Sequence, residues 1–396
     1  MSKLDELIAE LCPDGVEFVE LNEVLDYEQP TKYIVKSTNY DDSYTIPVLT
    51  AGQSFVLGYT NEDFGIYKAS PDSPVIIFDD FTTSFHWVDF NFKVKSSAMK
   101  MLRSKDNEIA NLRFLFHLMK NINYIPVDHS RQWIGKYSKF RIPLPPLAVQ
   151  QEIVRILDNF TELTAELTAE LTARRKQYEY YLNCLFTFSN RPDVKYMSVG
   201  ELFEFKNGLN KGKEYFGTGT PIVNFTDVFN NRYLTSDKLK GRVTVSNKEI
   251  ELYSARKGDV FFTRTSETRD EIGMASVLVE DVESCVFSGF VLRARPKTAL
   301  LLPKYCSYCF SSYNLRKEII KSSSYTTRAL TSGTKLSKLF IPVPPLEEQE
   351  RIVAILDRFD ALCNDLTSGI PAEIEARQKQ YEYYRDKLLS FKEVTA

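Results

Sequence analysis

Side chains able to grip phosphates and read base edges gather at four places in this sequence. Arg131, Lys136, Lys139 and Arg141 crowd one stretch without an acidic neighbour, and His129, Gln132 and Trp133 stand among them. Upstream, Asp79, Asp80, Thr82 and Thr83 follow the apolar run Val75–Phe78, with His86 a few residues on. In the second half, Arg264, Thr265, Ser266 and Arg269 follow Val260–Phe262. Further on, Arg316, Lys317, Lys321, Arg328, Lys335 and Lys338 share a stretch with only Glu318, interleaved with Tyr325 and Thr326. Arginine and lysine contact phosphates, arginine, glutamine, serine and threonine reach base edges, and an aspartate accepts from cytosine N4. Taken singly, each of the two basic stretches has a plainer reading as a solvated basic loop, and Asp79 and Asp80 equally fit a turn. Recurrence of a basic loop in both halves favours nucleic acid.

Other chemistries lack their residues. No Asn/Asp-Pro-Pro-aromatic tetrapeptide of an amino-methyltransferase occurs. Gly208–Glu214 is too short between its glycines for a phosphate-binding loop and has no Ser/Thr for magnesium. Pro192-Asp193 with Glu204-Phe205-Lys206 mimics a nuclease pattern, but Pro13-Asp14 repeats the first half of it without the second. Cys306 and Cys309 have zinc-like spacing but no second pair and no nearby histidine. His117 lies in an apolar helical run and reads as structural, whereas His86 and His129 lie in the candidate loops. No catalytic residue and no metal site is expected in this chain.

The elements that must position these loops emerge from an internal repeat. Ile142-Pro-Leu-Pro-Pro-Leu147 recurs as Ile341-Pro-Val-Pro-Pro-Leu346, and Gln150, Ile153, Leu157, Asp158 and Phe160 recur as Gln349, Ile352, Leu356, Asp357 and Phe359. Lys176-Gln-Tyr-Glu-Tyr-Tyr181 returns as Lys379-Gln-Tyr-Glu-Tyr-Tyr384 after a few more residues. Such a match indicates duplication. Val16–Leu25 also echoes Val194–Phe203, so the chain reads cyclically as domain, helix, domain, helix, with its termini close together.

Each proline-rich lead-in disfavours helix up to its last proline, and apolar residues then recur at three- and four-residue steps. From Leu147 to Phe186 there is no glycine or proline, and a Thr-Ala-Glu-Leu tandem fills Thr164–Leu171. A helix of that length measures about 60 Å. In the second copy Ser368-Gly369-Ile370-Pro371 predicts a kink or break. The two helices could belong to one bundle core. An antiparallel coiled-coil pair spacing two domains is the sharper reading, because each follows a large domain of mixed strand and helix pattern. The expected segments are 1–141, 142–188, 189–340 and 341–396.

With 396 residues, 43% hydrophobic, 26% charged and a formal net charge of −3, the chain has an ordinary globular composition. The overall charge gives no prior for nucleic acid, so any such face must be local. Six scattered cysteines and an N-terminus without an apolar signal core predict a reduced cytoplasmic protein.

The repeated lead-ins, the Thr-Ala-Glu-Leu tandem and the repeated Lys-Gln-Tyr-Glu-Tyr-Tyr motif resemble the conserved regions of the DNA-specificity subunits of Type I restriction-modification enzymes. Val75–Thr83 and Lys95–Met101 resemble one class of target-recognition domain; Gly258–Thr268 and Thr326–Leu339 resemble another. This resemblance covers essentially the whole chain. It implies an α/β (α+β) fold class: two similar mixed α/β target-recognition domains separated by two long antiparallel helices in a cyclic pseudo-twofold arrangement. It also implies a non-catalytic reader of a bipartite double-stranded DNA target. Two modification subunits carrying S-adenosylmethionine would methylate adenine N6, and two restriction subunits would use ATP and Mg²⁺. The residues assigned to partner binding are Gln150, Ile153, Tyr178, Tyr181, Gln349, Ile352, Tyr381 and Tyr384. A nuclease or methyltransferase acting alone, or an interaction scaffold with no DNA role, are the competing readings.

Overall fold

In the computed structural model, which describes residues 2–52, 54–189 and 191–394, packing divides the chain into two units, Met1–Leu167 with Ile374–Ala396, and Thr168–Glu373. Each unit therefore takes helical segments from both repeats, and the boundaries fall inside the helices Leu147–Cys184 and Ile370–Leu388.

In the first unit, β1 (Glu17–Glu20) pairs antiparallel with β9 (Arg141–Leu144). A four-stranded sheet has the order β2 (Leu25–Glu28), β8 (Met99–Ser104), β5 (Val75–Asp79), β6 (Phe85–Val88). A second sheet has the order β4 (Val56–Thr60), β3 (Ile46–Leu49), β7 (Lys93–Val94), with β3 and β7 parallel. Ile76 and Phe78 point to one face of β5 and Val75 and Ile77 to the other, as a period of two requires, and the two pairs join separate cores. Helix Leu112–Asn121, whose first N–H groups are capped by the Asn111 side chain, covers the Ile76 side with Phe114, Leu115 and Leu118.

The second unit repeats this plan with other residues. Strands β10 (Lys195–Ser198) and β22 (Phe340–Val343) pair antiparallel. The main sheet runs β11 (Phe203–Asn207), β19 (Val291–Pro296), β15 (Val260–Thr263), β17 (Ala275–Leu278), with β13 (Tyr233–Leu234) added at the edge. The smaller sheet is β14 (Arg242–Val243), β12 (Phe216–Val223), β18 (Val286–Phe287), again with a parallel pair, β12 and β18. A third small sheet, β16 (Thr265–Ser266), β21 (Ala329–Leu330), β20 (Ser324–Tyr325), belongs to this unit. Helix Pro303–Ser311 covers the main sheet with Tyr305, Cys306, Tyr308 and Cys309.

One continuous helix, Leu147–Cys184, contributes its first half to one unit and its second half to the other. Val149, Ile153 and Leu157 are buried in the first core, and Tyr178 and Leu182 in the second. Between them the surface is largely exposed, and Leu163 leaves the expected apolar stripe. Helix formers alanine, glutamate and leucine dominate there, and Thr161, Thr164 and Thr172 bond their hydroxyls back to the carbonyls of Leu157, Phe160 and Thr168.

The distal repeat is two helices, Leu346–Asn364 and Ile370–Leu388. Of the expected kink or break, the break is present: Asp365 accepts from the N–H groups of Thr367 and Ser368, and Leu366 is thrown into solvent. A Cβ on Gly369 would meet the carbonyl oxygens of Ala361, Asp365 and Leu362 at 2.6, 2.7 and 2.9 Å, so this turn requires glycine.

The expected cyclic closure is present inside the first unit. Val16 N–H donates to the Lys392 carbonyl (2.9 Å) and Val394 N–H to the Val16 carbonyl (3.0 Å). Gly15 adopts φ +118°, and a Cβ there would lie 2.4 Å from the Lys392 carbonyl oxygen. Arg141 pairs with Glu393 at 2.7 Å. Leu389 and Phe391 thereby serve the first core as Phe186 and Phe188 serve the second.

Candidate nucleic-acid interface

The loop after β5 and the basic stretch near residue 131, far apart in sequence, meet in the first unit. Asp79 closes the turn: its carboxylate accepts from the N–H groups of Phe81 (2.9 Å) and Thr82 (2.8 Å), the turn role the sequence left open. Thr83 takes a left-handed backbone (φ 58°) and is buried, its hydroxyl donating to the Thr82 carbonyl. Asp80 is fully buried; it accepts from Trp133 N–H (2.8 Å) and pairs with buried Lys100 (3.2 Å), while its carbonyl accepts from Gln132 N–H (2.7 Å). Gln132 is also buried, bonded to Tyr124, Asp128 and Ser130.

Asp80, Thr83 and Gln132 are therefore corrections to the expected DNA-facing set: their polar atoms are spent inside the protein, holding the two segments together. Trp133, stacked on Tyr137 at 6.1 Å, anchors the same segment in the core. Thr82, His129, Arg131 and Lys136 remain exposed. The Arg131 guanidinium lies 5.9 Å from the Phe81 ring, and Lys136 pairs with Asp128 at 3.0 Å. Serine, lysine and glutamine hydrogen bonds to Asp128 hold its carboxyl far below the usual carboxylate range.

The second unit joins the corresponding pair of segments by strands. Thr265 pairs with Leu330 and Ser266 with Ala329, and Thr331 N–H donates to the Arg264 carbonyl (3.0 Å). Arg264 turns inward to the Gly289 carbonyl (2.9 Å), and Ser266 is buried, accepting from Thr268 N–H; these two are again supports. Arg316 clamps the loop through the carbonyls of Asp270, Ile272 and Gly273, and burial lowers its pKa from the ordinary value. Arg269 lies 5.0 Å over the exposed ring of Tyr325, Arg328 is loosely set 3.9 Å from Glu267, and Thr326 is exposed. Thr265 and Lys335 are half-exposed.

Most residues assigned to partner binding prove to be core. Gln150 is buried, accepting from Asn111 N–H (2.8 Å) and donating to the carbonyls of Ile109 and Pro145. Gln349 does the same with Leu302 N–H (2.9 Å) and the carbonyls of Leu300 and Pro344. Asp158 holds Arg113 and His117, each at 2.9 Å, and its duplicate Asp357 holds Lys304 (2.6 Å) and Tyr308 (2.7 Å). Ile153, Ile352 and Tyr178 are buried, and Tyr381 is half-buried with its hydroxyl 3.3 Å from His117 Nδ1. Tyr181 stacks on Phe359 and Tyr384 on Phe160.

Outside the assigned set, Tyr180 and Tyr383, the middle tyrosines of the repeated motif, are 64% and 62% exposed. Helical spacing carries the signal: Tyr180 lies two residues from the buried Tyr178, on the opposite side.

Other sequence candidates resolve as structure. Cys306 and Cys309 lie wholly in the core, where burial raises both thiols; Cys306 is pushed up to about 12. Asp193 is taken up by Arg191 at 2.7 Å. His86 is half-buried, its Nε2 3.2 Å from the Gly52 carbonyl. Among the described residues no group of three His, Cys, Asp or Glu side chains is placed to hold a metal, and no helix is long and apolar enough to cross a membrane.

Comparison with known proteins agrees with the duplicated architecture. A solved structure of a Type I restriction-modification S subunit from M. genitalium superposes with TM-score 0.58 at 14% identity, covering 96% of this chain and 97% of that one. A chain from a structural study of complex assembly in the type I system superposes with TM-score 0.59 at 19% identity, over 96% and 98%. In sequence, the specificity subunit of a type I restriction enzyme from Escherichia coli is 42% identical over 99% of this chain and 97% of its own length. The domain family described as Type I restriction modification DNA specificity domain matches twice, over residues 13–174 and 192–376. Two copies of one strand order, joined through a shared helix and matched end to end by these relatives, place the chain in the Type I restriction-modification specificity-subunit family.

Proposed function

We propose that each unit reads one half of a bipartite double-stranded DNA site through its paired loops, and that the chain performs no catalysis itself. The observation carrying this reading is that two domains of matched strand order bring the same two segments together yet present unlike side chains. The first offers Thr82, His129, Arg131 and Lys136; the second offers Thr265, Arg269, Tyr325, Thr326, Arg328 and Lys335. Matched scaffolds with unmatched surfaces suit two different half-sites. Arg131, Lys136 and Arg328 supply phosphate contacts, and the threonines and Arg269 supply base-edge contacts.

The continuous helix Leu147–Cys184, paired antiparallel with the distal helices, sets the length of the unread spacer. Two modification subunits dock on the helical repeats, one at Tyr180 and one at Tyr383, because twin exposed tyrosines in a duplicated motif suit two copies of one partner. In this reading adenine N6 methylation and S-adenosylmethionine belong to those subunits, ATP and Mg²⁺ belong to two restriction subunits, and the assembly works in the cytoplasm.

Co-expressing the chain with its modification subunit and mapping methyladenine across a genome tests the reading; a two-block motif is expected, and methylation without one refutes it. Arg131→Ala and Arg328→Ala should each weaken binding and lower the slope of log affinity against log salt by about 1. Unchanged slopes would favour a scaffold with no DNA role.

A further inference from the structure

The two interfaces differ at one matched position by a whole aromatic ring. In the second unit Arg264, the residue after β15, donates its N–H to the carbonyl of Phe290, the residue before β19 (3.4 Å). In the first unit Asp80, the residue after β5, donates to the carbonyl of Ala98, the residue before β8 (2.9 Å). Strands β15 and β19 pair as β5 and β8 do. Phe290 and Ala98 are therefore counterparts. Ala98 is buried, whereas Phe290 is 68% exposed.

The turn under this ring is built, not loose. Gly289 N–H donates to the Leu209 carbonyl (2.7 Å), Val291 N–H to the Ser288 carbonyl (3.0 Å), and Phe290 N–H to the Ser288 hydroxyl (3.3 Å). The Arg264 guanidinium ties down the Gly289 carbonyl. A Cβ at Gly289 would lie 1.9 Å from Asn210 Oδ1, so the chain is held close on that side as well. The result is an exposed apolar ring on a hydrogen-bonded turn whose carbonyl takes the Arg264 N–H.

A phenyl ring can neither bond a phosphate nor read a donor or acceptor on a base edge. On DNA it can touch a thymine methyl or, burying more of the ring, enter a base step as a wedge and exchange water for the faces of two bases. We propose that Phe290 inserts into the half-site bound by the second unit and unstacks one base step there, whereas the matched position of the first unit, Ala98, has no ring to insert. This rests on the DNA-reading function above. It adds a preference for an easily unstacked pyrimidine–purine step at a position no polar side chain reads.

The test uses the complex with its modification subunits and duplexes carrying the mapped motif, with 2-aminopurine placed singly at successive positions. Binding should raise fluorescence at a step in one half-site, and Phe290→Ala should abolish that rise while Phe290→Trp keeps it. Target adenines rotated out by the partners also fluoresce, so the signal that counts is the one depending on residue 290. Phe290→Ala should weaken binding about 5- to 140-fold, the range for losing one base–aromatic stack. Phe290 is 68% exposed, so truncating it removes little packing, and an unchanged unfolding transition of Phe290→Ala separates the effect from misfolding.

Binding within twofold of wild type and unchanged fluorescence, while Arg328→Ala still weakens binding, would overturn the insertion and leave the DNA-reading function standing. Weaker binding with no residue-dependent fluorescence would overturn it too, since the ring would then touch a thymine methyl or a partner without entering the stack. A wild-type complex that shows no preference for the bipartite duplex would overturn both.

Discussion

Deleting Thr168–Leu171 removes one Thr-Ala-Glu-Leu unit from the middle of the helix Leu147–Cys184. Four residues at 1.5 Å each shorten it by about 6 Å and turn its far end by about 40°. Base pairs stack about 3.4 Å apart, so the spacer should lose one or two base pairs. Neither core should suffer, because the buried anchors are Val149, Ile153 and Leu157 on one side and Tyr178 and Leu182 on the other. The tandem also restores its own sequence: Leu167 is again followed by threonine and alanine. Genome-wide methyladenine mapping of the deletion variant reads the spacer directly. Removing only Thr168 and Ala169 is the control, since about 200° of rotation turns the distal half of the helix to the wrong side and should abolish methylation. A four-residue deletion that methylates the original spacing would refute the helix as ruler.

Asp80→Ala leaves Lys100 buried without its counterion, so it should destabilise the first unit by about 3–5 kcal/mol, seen as an earlier unfolding transition in urea; a stable variant with altered base preference would return Asp80 to the DNA-facing set. His117 is a pH-dependent element of the same unit. Burial depresses its pKa below the ordinary 6.5, outweighing the pull of Asp158, with Arg113 and Lys120 adding in the same direction. The stabilisation is thus fully present above the unfolded pKa and is lost as pH falls below 6.5 toward the depressed folded value. Asp158 reinforces this sense: its own burial opposes the charge, but His117 and Arg113 hold its carboxyl below 3.8, so its contribution also fades on acidification. Thermal unfolding between pH 7.5 and 5.5 should show the loss, and His117→Gln should flatten it. Tyr180→Ala with Tyr383→Ala should cost modification-subunit binding about 2 kcal/mol or more per site without shifting unfolding of the isolated chain; calorimetric titration with the partner would reveal unaltered affinity if the tyrosines face only water.

The sequence reading erred most where identity between the two repeats was strongest. Gln150 and Gln349 match because each bonds the same three backbone groups of its own domain. A glutamine retained through duplication fits a partner surface as well as a core clamp, and only burial separates them. Asp80 and Gln132 show the same limit in the loops. Their residue types suit base edges, but nothing in the sequence says that residues 80 and 132 meet.

Local order alone determined the duplication, the mixed strand–helix domains, the long helix free of glycine and proline, and the interruption at Gly369, because periodicity, proline and glycine act within a few residues. Tertiary structure decided the rest. It brought the loop after β5 to the stretch near Arg131, turned Asp80, Gln132, Ser266 and Arg264 into supports, and left Tyr180, Tyr383 and Phe290 outside. Exposure is set by what packs against a side chain from distant parts of the chain, and that sum is written in no single segment.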